Sequence, residues 1–186
     1  MTLEQYLELE DRSETRHEYF AGETFEVEAV SYRHQKIGSQ LLRALHPAVS
    51  AKGCEMLFSG TRVATSKEGL YTYPDLVIVC GHPKFWQADL NALSNPKVII
   101  EILSPSSGDY DRGAKFELYR TIPSLSEYLT VHQDAPFVEH HSRQPDGSWV
   151  LRDLRGLGSI LRLESLDADI SFAAIYAGIE LPPPSE

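Results

Sequence analysis

The chain has 186 residues, 42% of them hydrophobic and 24% charged, which is globular rather than disordered composition. Its formal net charge of −10 argues against a general nucleic-acid coat, because non-specific affinity comes from neutralising phosphates. That charge stays compatible with a local basic groove, and it suits a cluster of metal-binding carboxylates. No apolar run approaches the roughly eighteen residues of a membrane span, and no basic-then-apolar leader opens the chain. Cys54 and Cys80 form no metal-ligand pair motif and read as separate core thiols of a reducing, cytoplasmic compartment. The length suits one domain over residues 1–180, with 181–186 a frayed tail.

Thr2 and Gln5 fit a capping box, and Leu3, Tyr6 and Leu7 give the short helix behind it an apolar face. Residues 16–29 (RHEYFAGETFEVEA) read as a hairpin turning at Ala21-Gly22, with Glu18 on the first arm. Ser31 is a good N-cap for a helix whose Ile37, Leu41, Leu45 and Val49 recur at near-helical spacing, distorted near its end by Pro47. His34 and Gln35 begin that helix, either solvated or approaching a phosphate. Residues 54–58 and 61–65 look like two strands, or one bent strand, around Ser59-Gly60. Arg62 there either lines a groove or sits in a surface pair.

Residues 73–80 (YPDLVIVC) form a strongly apolar strand with Asp75 near its start. A polar loop holding Trp86 and Asn91 leads to a second apolar strand, 97–103 (KVIIEIL), with Glu101 inside it. Asp111 reads as the N-cap of a helix over 112–121 that carries Lys115 and Tyr119 on one face, and Pro123 stops it. Asp109 solvates the preceding loop. A strand over 127–132, a hairpin pairing 137–142 with 149–154 across Pro145-Asp146-Gly147, and a short helix over 171–179 complete the chain. His132, His140 and His141 lie in strand-like segments without clear metal-ligand spacing. The order predicts an α/β (α+β) fold, a central mixed β-sheet flanked by helices, with added hairpins at its edges.

Asp75, Glu101 and Lys115 are chemically unusual for their surroundings. Burying an unpaired carboxylate costs several kcal/mol, so Glu101 needs a cation, a donor or a metal beside it. If the two apolar strands are neighbours, Asp75 and Glu101 face one point. Two carboxylates about 4 Å apart repel by roughly 4 kcal/mol at an effective dielectric near 20. A divalent cation removes that repulsion, and hard oxygen ligands favour Mg2+ or Mn2+. A nearby lysine would stabilise phosphate charge, which points to metal-assisted phosphodiester hydrolysis. The plain alternative is a Glu101–Lys115 ion pair without a metal. Glu18 is then an exposed hairpin acid, and Tyr119 a packing residue.

Pro74-Asp75 followed by Glu101-Ile102-Leu103 resembles the core motif of the PD-(D/E)XK, restriction-endonuclease-like nucleases. Together, RHEYFAGE, SYRHQKIGSQL, YPDLVIV, VIIEILSPSS and DYDRGAKFELYRTIPSLSEYLTV resemble the Uma-two family within that superfamily, over nearly the whole chain. The resemblance implies a restriction-endonuclease-like core and a metal-dependent endonuclease acting on DNA. It implies Asp75 and Glu101 as metal ligands, the Ile102 carbonyl as a third, and Glu18 as the upstream acid. The motif lysine would stand two residues after Glu101, where this chain has Leu103, so the resemblance moves that role to Lys115. Lys97 shares Glu101's strand face but lies four steps of about 3.3 Å away. A homodimer is the expected assembly, since duplex cleavage needs two scissions. The rival from another class is a catalytically idle nuclease-fold module that binds a protein partner or oligomerises.

Overall fold

The computed structural model describes residues 1–66, 69–87, 89–103 and 111–182, except the side chains of Leu90, Asp111 and Arg112. Asp109 and the rest of 104–110, and residues 183–186 of the expected tail, lie outside these.

The two apolar strands of the sequence, β6 (Leu76–Cys80) and β9 (Val98–Leu103), are neighbours in a central mixed sheet. Their order there is β12-β11-β10-β9-β6-β3. The remaining strands are β3 (Cys54–Phe58), β10 (Glu127–His132), β11 (Phe137–Arg143) and β12 (Trp149–Arg155). Only β9 and β10 run parallel among these pairs. Both faces of β6 and β9 are covered, which explains their nearly unbroken Val/Ile/Leu character.

One face packs on α2 (Tyr32–Ala51), with Ser31 accepting from the His34 amide as its N-cap. Ile37, Leu41, Leu45 and Val49 of α2 are buried against Leu76, Ile78, Ile100 and Ile102. Burial of such side chains stabilises by roughly 1.5–3 kcal/mol each. Pro47 lies inside α2, which runs on to Ala51. Gly38 lets the helix sit close: a Cβ there would stand 2.5 Å from the Phe58 ring. The same core takes in β13 (Ile160–Leu163), β14 (Ala168–Ser171), α4 (Phe172–Ile175) and, at its margin, Leu181.

The other face meets a second sheet of order β2-β1-β5-β4-β8-β7. It is built from β1 (His17–Phe20), β2 (Glu23–Glu26), β4 (Arg62–Ala64), β5 (Tyr71–Thr72), β7 (Phe85–Trp86) and β8 (Asp89–Leu93). The helix α1 (Leu3–Arg12), with its Thr2–Gln5 capping box, buries Tyr6 against this sheet. Between the two sheets lies α3 (Phe116–Tyr119), entered through a π-helical turn, Asp111–Lys115.

Of the two alternatives for residues 54–65, two strands form, and they lie in different sheets. Several other expectations change. The loop holding Trp86 and Asn91 is instead the β7–β8 pair. Asp111 opens a π turn rather than capping a regular helix, and the last helix ends at Ile175. Cys54 and Cys80 are not separate thiols. They face each other across β3 and β6 and form a disulfide, a bond rare in a reducing cytosol. Among the described residues, no helix is long and apolar enough to cross a membrane.

Candidate active site

The site forms where β6 and β9 part. The ladder between them pairs Leu76 with Ile100 and stops there, so Asp75 and Glu101 stand just past its end. Side chains alternate along β9, which sends Ile100 and Ile102 to α2 and Ile99 and Glu101 toward the second sheet. Asp75 and Glu101 are adjacent: the Asp75 amide lies 3.4 Å from Glu101 Oε2. The Ile102 amide donates to Asp75 Oδ2 at 2.7 Å, and His34 Nε2 reaches Asp75 Oδ1 at 2.8 Å. A carboxylate only accepts, so His34 carries its proton on Nε2.

Lys115 comes from the last residue of the π turn. Its ammonium sits 2.9 Å from Glu18 Oε1 and 3.4 Å from Glu101 Oε1. Glu18 is supplied by β1 of the second sheet and also accepts from Thr72 on β5. Tyr119, one turn after Lys115, donates to Glu101 Oε1 at 2.9 Å. Burial, and then the charges of Glu101 and Glu18, raise the Tyr119 pKa well above its usual value, so it stays a phenol. Tyr119 is thus both a packing residue and a donor to the site.

Glu18, Asp75, Glu101 and Lys115 therefore form one contact group drawn from both sheets and the π turn. Among the described residues, this group sets one ammonium against three carboxylates. Lys115 and Glu101 are nearly buried, whereas the Asp75 side chain is 21% exposed. Asp75, Glu101 and the Ile102 carbonyl are hard oxygen donors and suit Mg2+ or Mn2+ in kind. Among the described residues, no group of three or more His, Cys, Asp and Glu has the geometry to hold a metal ion. Protein donors meet the Asp75 and Glu101 oxygens in this arrangement.

The sequence left His34 as a solvated helix start or a phosphate neighbour; it is buried and holds Asp75. Its Ser31 cap was readable, but its depth depends on the close seat of α2 at Gly38. Arg62 is neither in a groove nor in a surface pair. It is buried among Tyr73, Asp89 and Glu10. The three histidines do not converge. His140 lies 3.2 Å from Glu127 Oε1 without the alignment of a good hydrogen bond. His132 pairs with Glu139, and His141 packs on Phe116.

The mixed sheet between helices, with an acid pair at the parting of two strands, defines a restriction-endonuclease-like fold. A crystal structure described as "a putative nuclease belonging to DUF820", from Anabaena variabilis ATCC 29413, shares it with a TM-score of 0.78 and 16% identity. The match covers 95% of this chain and 98% of that one. The Uma2 family model, described as "Putative restriction endonuclease", matches residues 3–174, and the chain belongs to this family. Two relatives from Synechocystis sp. (strain ATCC 27184 / PCC 6803 / Kazusa) bear the names "Uncharacterized protein sll1609" and "Uncharacterized protein slr1290". The first is 31% identical, covering 94% of this chain and 95% of its own length. The second is 29% identical, covering 95% and 91%.

Proposed function

We propose that this chain is a divalent-metal-dependent endonuclease that hydrolyses DNA phosphodiester bonds and works as a homodimer. The observation that carries the reading is the Lys115 ammonium between Glu18 and Glu101, beside Asp75: among the described residues, one ammonium stands against three carboxylates there. Asp75, Glu101 and the Ile102 carbonyl would hold Mg2+ or Mn2+. In a strand, the amide and carbonyl of one residue project to the same side, so the Ile102 carbonyl shares the Asp75 side of β9. The bound ion would polarise a phosphoryl oxygen and acidify its water.

The chain's own groups do the rest. His34 and the Ile102 amide fix the plane of the Asp75 carboxylate from both oxygens. Tyr119 holds Glu101 through its Oε1. Thr72 holds Glu18, and Glu18 with Glu101 holds Lys115 beside the acid pair. There the ammonium offsets the carboxylates at rest and can donate to a phosphate oxygen as charge develops on it.

A plasmid-nicking assay with Mg2+ or Mn2+ tests this. The parent should nick, while Glu101→Ala and Lys115→Met should lose about a hundredfold or more. Lys115→Arg should rescue poorly, because a planar guanidinium does not replace a compact ammonium. Glu101→Ala nicking at the parent rate would contradict the reading. Light scattering that gives a monomer at micromolar concentration would contradict the dimer.

A second reading is favoured by the protein donors already on Asp75 and Glu101 and by the −10 net charge. In it the cluster is a structural ion pair of an idle, partner-binding module. That module would bind no divalent metal.

A further inference from the structure

The central sheet ends on one side at β12, and among the described residues no strand pairs with the outer edge of β12. The other free edges of the two large sheets are shorter. β2 has four residues, β7 two and β3 five, against seven in β12. An unpaired edge presents a row of N–H and C=O groups to any strand that can lie beside it. β12 holds no proline and no lysine, and it pairs with β11 residue for residue over its whole length. It is also apolar in part: Val150 is 36% exposed and Leu151 51%. Its charges, Arg152, Asp153 and Arg155, bar some pairings and permit others.

The ladder to β11 decides which backbone groups point out. The Gly156 amide donates to the Pro136 carbonyl, and the Gln144 amide to the Ser148 carbonyl, each at 2.8 Å. Both bonds continue the β11–β12 register. Backbone groups alternate sides along an antiparallel strand. Even-numbered residues of β12 therefore face β11, and Trp149, Leu151, Asp153 and Arg155 turn their backbone groups outward.

Two copies of β12 can run antiparallel about a twofold axis. Outward groups meet outward groups when the axis crosses a residue, which then stands opposite its own copy. An axis at Arg152, Asp153 or Arg155 sets like charges directly opposite, which destabilises the pair. Among the uncharged centres, Leu151 pairs the longest stretch, residues 149–153 of each copy. Leu151 then meets the partner's Leu151, Val150 the partner's Arg152, and Trp149 the partner's Asp153, so no like charges are directly opposed. Each copy spends its one outer β12 edge, so the assembly closes as a dimer.

We infer that β12 is the dimer interface of this chain: the outer edges of two copies pair antiparallel about Leu151 and join the two central sheets into one. The assignment rests on the homodimer reading, and it adds the surface, the register and the residue at its centre.

The test is sedimentation of the full chain over a range of micromolar concentrations, with a crosslinking arm. The parent should be a dimer. Leu151→Lys, which sets two ammonium groups against each other, should weaken dimerisation about tenfold or more. Leu157→Lys, an equally exposed position beyond the paired stretch, should stay within about threefold. Leu151→Cys should give a disulfide-linked dimer on mild oxidation, because directly opposed outward residues lie about 5.5 Å apart between Cα atoms. Asp153→Cys should not, because the two copies of that position stand four strand steps, about 13 Å, apart. The native cysteines are tied to each other and add no thiol. A dimer that Leu151→Lys leaves at parent strength overturns the interface and spares the dimer reading. Crosslinking through Asp153→Cys overturns the register. A parent that is monomeric throughout overturns the dimer reading and this interface together.

Discussion

Two buried charge clusters lie near each other and differ in enclosure. In the first, Arg62 donates to Tyr73 at 2.8 Å and to Asp89, and lies 3.6 Å from Glu10. Glu10 accepts from Tyr73 at 2.6 Å and from the His17 amide at 2.8 Å. Burial works against the Arg62 charge, yet the bonds to Tyr73 and Asp89 outweigh it and raise its pKa. Asp89 uses its other oxygen on the Asn91 amide. This knot is enclosed and ties α1 to the second sheet. In the second cluster, Glu18 and Glu101 share Lys115, and Asp75 beside them opens onto a cleft. Buried charge alone therefore does not mark a functional site. What sets the proposed site apart is its place at a break in a sheet ladder with access to solvent.

The largest expected effect falls on the enclosed knot. Arg62→Met should cost about 3–5 kcal/mol in urea unfolding, because it strands two buried carboxylates. Metal binding by whatever stays folded should not change. Lys115→Met should show the opposite pattern. Cleavage falls about a hundredfold or more, while the urea midpoint moves less than for Arg62→Met. Equal stability losses in the two variants would erase the distinction.

His34→Ala comes next. It removes the donor that orients Asp75, and loss of such a partner typically costs about 10–100-fold in metal affinity. A calorimetric Mn2+ titration reads this, and parent-like affinity would make His34 a packing residue. Gly38→Ala tests the seat of α2. The added methyl meets the Phe58 ring, and overpacking of this kind costs about 1–3 kcal/mol. Urea unfolding measures it.

The smallest effect concerns Glu127. Burial pushes its carboxyl pKa up, but the nearness of His140 and the bonds from the Ser165 hydroxyl and the Glu164 amide outweigh that and lower it overall. A depressed carboxyl pKa adds stability that is complete above the ordinary value of 4.5 and lost as pH falls through the folded value. Ser165→Ala should flatten the acid side of the stability curve, and the pH dependence of the melting temperature should show it.

The central strands were legible because both carry nearly unbroken apolar runs, and Glu101 stood out by interrupting one. The caps at Thr2 and Ser31 were legible from local chemistry alone. The short strands around Trp86 and Asn91 were not, because two to five residues give no periodicity and depend on their partners. The disulfide was hidden for a related reason: only the β3–β6 register brings residues 26 apart face to face. His34 on Asp75 needed the tilt and closeness of α2, set by Gly38 against Phe58. The move of the lysine role to Lys115 came from a family resemblance. Its contact with Glu101 and Glu18 depends on a π turn that no spacing rule predicts.

The most direct measurement is Mn2+ binding followed by electron paramagnetic resonance, with the parent beside Asp75→Asn. The account predicts that the parent takes up Mn2+ and that Asp75→Asn loses that uptake while keeping the parent's circular dichroism spectrum. A parent that leaves Mn2+ free, or an Asp75→Asn protein that binds it equally well, would contradict the account.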